Sequence, residues 1–170
     1  MNVCAGDFLQ YREIPRNKMN EGIKACERNV LDFLQDAKLV IEKGRLNHAY
    51  VSVQFAIEEL GKLVILKDAF NTSKSDNILV EETVFKSHKG KSDKAWTVLD
   101  PTLRKIYDGV FNDDVFNHDI FETDTKAEYE TRLDCAFVDF RAGSWHIGRN
   151  INRDLLIGLV NHIEEKLHKI

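Results

Sequence analysis

The run Ala56-Ile57-Glu58-Glu59-Leu60-Gly61-Lys62 lies midway along an apolar stripe formed by Leu46, Tyr50, Val53, Ile57, Leu60 and Val64. Steps of three and four residues define one face of an α-helix, and Ala49, Ala56 and Leu63 widen it. Upstream, Ile23, Cys26, Val30, Phe33, Ala37 and Val40 repeat the pattern, with Leu34 and Ile41 beside them. Between the stripes, Lys43-Gly44 is a stop signal: a cation near the last carbonyls and a residue free to adopt positive φ. A tight connection makes the two helices antiparallel neighbours, so residues 17–70 are expected to form a helical hairpin. Within the run, Glu58 and Lys62 have the i, i+4 spacing of an ion pair, contributing ~0.2–0.5 kcal/mol when exposed. Gly61 costs roughly 0.5–1 kcal/mol against alanine inside a helix, which calls for a compensating reason. Either another helix crosses closely there, or Glu59 and Lys62 border a charged pocket.

The chain has 170 residues, 43% of them hydrophobic, enough for one core, so residues 1–170 are read as a single domain. Nine glycines and two prolines leave little room for low-complexity linkers. No run of about 18 apolar residues is present, so no membrane span is expected. Met1 to Gln10 lacks the basic-then-apolar order of a secretory signal. Three widely spaced cysteines, Cys4, Cys26 and Cys135, argue against a disulfide framework and for a cytoplasmic location. A net charge of −4 excludes a broad nucleic-acid-coating surface but not a local basic patch. Such a patch lies in Lys86 to Lys94, where Lys86, Lys89, Lys91 and Lys94 surround His88 against one acid, Asp93.

Beyond the hairpin, residues 71–78 read as a loop in which Ser75 or Asp76 can cap a following helix over roughly 79–99, broken near Gly90. Asp100-Pro101 reads as an N-cap followed by proline at the first helical position. Residues 112–124 lack a period and read as a loop; Thr125 and Glu128 form a capping-box pattern before another helix. Residues 136–147 alternate around Gly143-Ser144, giving either a small β-hairpin or an extended loop. Asn152 can cap a final helix through Leu156, Leu159, Val160, Ile163 and Leu167. The sum is all-α: a bundle of about five or six helices, with a short β-hairpin near 136–147 as its one irregular excursion.

Chemistry concentrates at His88. Positive charge from Lys86, Lys89 and Lys91 would disfavour the protonated ring and leave neutral imidazole as a base, while the lysines contact phosphates. The alternative is a solvated helix end. His48, His118, His162 and His168 have no metal-ligand spacing, so no metal is expected, and no other cofactor is called for. No glycine-rich loop follows a strand, which speaks against P-loop nucleotide hydrolysis. Trp96, Trp145 and the ten phenylalanines read as core.

Three blocks in order resemble the AbiV family of abortive-infection proteins. The first runs from Asn29 through Leu34, Asp36-Ala37, Gly44-Arg45 and Ala49 to Glu58-Glu59-Leu60-Gly61-Lys62. The second is Phe85-Lys86-Ser87-His88-Lys89-Gly90-Lys91, and the third comprises Arg132, Phe137-Val138-Asp139, Gly143 and Trp145. The resemblance implies a HEPN-like helical bundle, a homodimer, and an antiphage effector that arrests growth or translation. Many HEPN domains are metal-independent RNases using an arginine and a histidine four to six residues apart. Arg141 and His146 have that spacing, although Ala142 stands where a polar residue is common. The implied roles are proton exchange with an RNA 2′-hydroxyl and stabilisation of phosphate charge. Arg132 and Asp139 fit either a buried ion pair or the border of the same cleft. The expected function is therefore RNA cleavage, with a phage-encoded protein as trigger. The alternative is a non-catalytic helical module that binds a phage or host protein.

Overall fold

The structure is a computed structural model that describes residues 10–104, 139–141, 144–146 and 151–170. Helices α1 (Arg16–Glu42) and α2 (Leu46–Thr72) have 27 residues each and are about 40 Å long at ~1.5 Å per residue. They form the expected antiparallel hairpin. Helix α1 buries one face, through Met19, Ile23, Cys26, Val30, Leu34, Ala37 and Ile41. The turn is a Schellman motif: the Gly44 N–H donates to the Ile41 carbonyl and the Arg45 N–H to that of Val40, both at 2.9 Å. Gly44 has φ +71°, the left-handed conformation this cap requires.

Helix α2 is buried over most of its circumference, by Ala49, Tyr50, Val53, Gln54, Ala56, Ile57, Glu58, Leu60, Gly61, Leu63, Val64 and Leu66. It is the central rod, with α1, a short helix α4 (His88–Trp96) and the last helix, α5 (Arg153–Leu167), packed around it. Asn152 caps α5 as expected, its Oδ1 accepting from the N–H groups of Asp154 and Leu155. Asp100 also behaves as read. Its Oδ1 accepts from the Thr102 N–H at 2.8 Å, and residues 101–104 are helical. The Thr102 hydrogen bonds hold the Asp100 carboxyl below the ordinary range.

The open end of the hairpin is closed by an antiparallel ribbon of β1 (Tyr11–Pro15) and β2 (Asn77–Glu81), in register from Tyr11 opposite Glu81 to Pro15 opposite Asn77. The Arg16 guanidinium finishes the closure, donating to the carbonyls of Phe70, Ser73 and Ser75 and stacking on the Phe70 ring at 4.6 Å. Three carbonyls at the end of α2 and just beyond it thereby gain donors. This ribbon corrects the expected helix over 79–99. Residues 77–81 alternate, with Ile78 and Val80 buried and Leu79 exposed, which is strand geometry. The chain then makes one helical turn, α3 (Thr83–Lys86), and starts α4 at His88. The break falls at Ser87, not Gly90; Ser87 is the N-cap and accepts from the Gly90 N–H. Ser75 and Asp76 cap no helix: the Asp76 carbonyl accepts from the Arg16 N–H.

A second ribbon pairs β3 (Asp139–Arg141) with β4 (Ser144–His146), so the alternation there resolves as the hairpin. The loop read at 112–124, the capping box at Thr125 and the continuation of the helix opened at Pro101 lie outside the described residues. No helix among the described residues is long and apolar enough to cross a membrane.

Candidate functional site

Successive residues of Glu58-Glu59-Leu60-Gly61-Lys62 reach different neighbours, because each step along a helix turns about 100°. Leu60 is fully buried in the core. Gly61 faces α4 so closely that an added Cβ would lie 1.7 Å from the Lys91 carbonyl oxygen and 3.1 Å from the Ala95 nitrogen. Both are backbone atoms and cannot swing away, so the glycine is there for a helix crossing. Of the two sequence readings of Gly61, the crossing is the one the structure contains.

Glu58 points into the same crossing. Its Oε2 lies 2.6 Å from Nδ1 of His88 and 3.5 Å from Nζ of Lys91. The Glu58 and Lys91 side chains are 9% and 8% exposed, that of His88 59%. A buried carboxylate thus grips a surface imidazole from behind. Nε2 is left as the ring nitrogen not engaged by Glu58. Two expectations change here. Glu58 does not pair with Lys62, because its direction is towards α4. The group nearest the His88 ring is a carboxylate rather than an ammonium, because α2 supplies an acid from beneath the lysine row.

The lysine row is partly consumed by ion pairs. Lys86 pairs with Glu82 at 2.5 Å, and Lys94 with Asp68 at 2.8 Å. Lys91 is buried against Glu58, while Lys89 is exposed with no carboxylate partner among the described residues. Glu82 also accepts from Arg12 of β1, and these bonds hold its carboxyl below the ordinary range, Lys86 having the larger effect. Arg12 stacks on Phe85 at 5.0 Å, so β1 is tied to α3, the turn that precedes His88.

Glu59 and Lys62 sit at the same height on α2 but face α1. They form a half-buried ion pair, with Asn29 Nδ2 donating to Glu59 at 3.3 Å. Cys26 completes this cluster. Burial, and secondarily the Glu59 carboxylate, pushes its thiol up to about 11. One turn further, the Phe33 and Phe55 rings pack at 5.4 Å between the same two helices.

The structure therefore brings His88 and Lys91 together around Glu58, and sets Glu59 with Lys62 on the α1 flank. In the second ribbon, Asp139 is opposite His146 and Arg141 opposite Ser144. Arg132 lies outside the described residues. Glu58 is the site residue that sequence reasoning missed. The available signal was the spacing Tyr50, Gln54, Glu58, Gly61, a polar and small line along an otherwise apolar helix. Gln54 is buried in the same line and donates to the Tyr50 hydroxyl at 2.7 Å. No three metal-ligating side chains converge among the described residues.

A protein-family model, HEPN_AbiV, described as AbiV, matches residues 18–164. That span takes in all three sequence blocks. Comparisons with curated proteins and with solved structures give no match.

Proposed function

The chain belongs to the AbiV family of HEPN proteins, and from that premise we propose that it is an abortive-infection effector that cleaves RNA without a metal. The reaction is transesterification. The 2′-oxygen loses its proton to a base and attacks phosphorus, the bond to the 5′-oxygen breaks, and a 2′,3′-cyclic phosphate and a 5′-hydroxyl result. The observation that carries this reading is His88, an exposed imidazole held at Nδ1 by the buried Glu58. Such a ring is fixed in place yet open to a substrate. Lys89, the next residue and exposed without a carboxylate partner among the described residues, is the phosphate contact beside it. Arg141 and His146, carried on β3 and β4, are the second candidate pair in this proposal, with Arg132 and Asp139 near them in sequence. The proposal includes a cytoplasmic homodimer released by a phage-encoded protein; HEPN domains commonly dimerise and bind RNA.

The test is purified protein with total RNA in EDTA, followed by end-group analysis. Cleavage leaving cyclic phosphate ends, reduced at least 100-fold by His88→Ala, is the expected result, about the contribution of a general base. Cleavage lost in His146→Ala and intact in His88→Ala would move the site to the second ribbon.

One observation favours a second reading, a non-catalytic binding module. Lys86, Lys91 and Lys94 are spent on ion pairs that build the fold. On that reading, growth arrest survives both histidine substitutions and no RNA is cut.

A further inference from the structure

Within the proposed RNA reaction, we infer that Glu58 is a positioning residue that fixes the tautomer of His88, making Nε2 the atom that accepts the 2′-hydroxyl proton. The inference rests on that reaction for its chemistry but on geometry for its mechanism. An ionised carboxylate is acceptor-only, so with Glu58 ionised a hydrogen bond across the 2.6 Å contact has Nδ1–H as its donor. A neutral ring protonated at Nδ1 carries its lone pair on Nε2. That makes His88 a base towards whatever approaches the open side, rather than a donor.

Lys91 sets an ammonium beside the buried carboxylate. That ammonium is 3.5 Å from the same Oε2, and the Lys91 side chain is at least as buried as that of Glu58. The Lys91 backbone is locked against Gly61, so the ammonium is delivered from a fixed point on α4. A buried ionised group needs such a partner. The four residues form one device: Gly61 admits α4, α4 brings Lys91 and His88, and Glu58 receives both.

In the reaction the 2′-hydroxyl proton passes to Nε2, and the imidazolium so formed is stabilised by Glu58. The 5′-oxygen departs with a proton from water, and the imidazolium returns one to solvent, leaving no net change. Removing the carboxylate's charge while keeping its shape frees the ring to put hydrogen on Nε2, where no lone pair remains for the substrate. In a serine-protease triad the equivalent loss costs about 10⁴ in kcat through the wrong tautomer.

The test is long-range ¹H–¹⁵N correlation of the His88 ring in the free full-length protein, at a pH where the ring is neutral. The expected wild-type spectrum has hydrogen on Nδ1 and a pyridine-like Nε2, and Glu58→Gln moves hydrogen to Nε2. With RNA, Glu58→Gln should lower kcat 100-fold or more and leave KM within about threefold, and Glu58→Asp should restore part of the rate. A wild-type ring with hydrogen on Nε2, or tautomers unchanged in Glu58→Gln, overturns the inference, and the wild-type spectrum decides it even if the variant fails to fold. The expected tautomer in a protein that cuts no RNA removes the RNA reading and leaves the hold of Glu58 on the ring intact.

Discussion

The two flanks of α2 at the level of Glu58 and Glu59 use the same residue type for opposite ends. On the α4 flank a carboxylate is buried and grips an exposed histidine, with a backbone-to-backbone crossing at Gly61 beside it. On the α1 flank a half-buried carboxylate pairs with Lys62 on its own helix and closes over Cys26. One flank is rigid beneath and open above. The other is sealed by a local ion pair. Adjacent glutamates of one motif therefore carry different burdens, and identity of residue says nothing about which is which.

The largest expected difference comes from glycine. Gly61→Ala drives a Cβ into the Lys91 carbonyl and should destabilise the protein by about 3 kcal/mol, the upper range for overpacking. Gly22→Ala on the α1 flank meets the Leu66 side chain at an ordinary 3.9 Å. It should stabilise by roughly 0.5–1 kcal/mol, the usual gain in a helix. Urea unfolding of both variants breaks the comparison if the signs agree.

Next come the acids. Glu58→Ala leaves Lys91 buried without its carboxylate and should cost about 3 kcal/mol. Glu59→Ala should cost about 1 kcal/mol, because Lys62 can turn to water. Equal losses in thermal or urea unfolding would mean that both flanks are held alike.

Last comes Cys26, whose ionisation has no such effect at neutral pH and shows only under alkaline conditions. Its thiol is raised from 9.0 to about 11, so the folded protein holds a proton that the unfolded chain releases first. The stability from this group is complete below pH 9 and is lost as pH rises towards 11. The wild-type urea midpoint should fall more steeply across that window than that of Cys26→Ala, and a thiol reagent at pH 8 should label Cys26 only after unfolding.

The hairpin was legible because its signals are local: two stripes of three-and-four spacing and a glycine stop at Gly44. The caps at Asn152 and Asp100 are local too. The β1–β2 ribbon was not legible, since Ile78, Leu79 and Val80 read as strand only once paired with residues more than 60 positions away. The site was half legible. His88 and its lysines stood out by composition, but the i, i+4 rule assigned Glu58 to Lys62. What decides otherwise is tertiary: α2 is surrounded, so position 58 meets α4 while Lys62 finds Glu59, three residues before it. A helix apolar around most of its circumference was the available warning that its acids would not all face water.

The most direct test of this division of labour is RNA cleavage by Glu58→Gln and Glu59→Gln, measured side by side with wild type in EDTA. Both changes remove one charge and keep side-chain shape, one position apart. The proposed reaction predicts a loss of at least 100-fold for Glu58→Gln and a rate within about threefold of wild type for Glu59→Gln, as expected if only one of them serves a general base. Equal losses, or the larger loss in Glu59→Gln, would contradict the account.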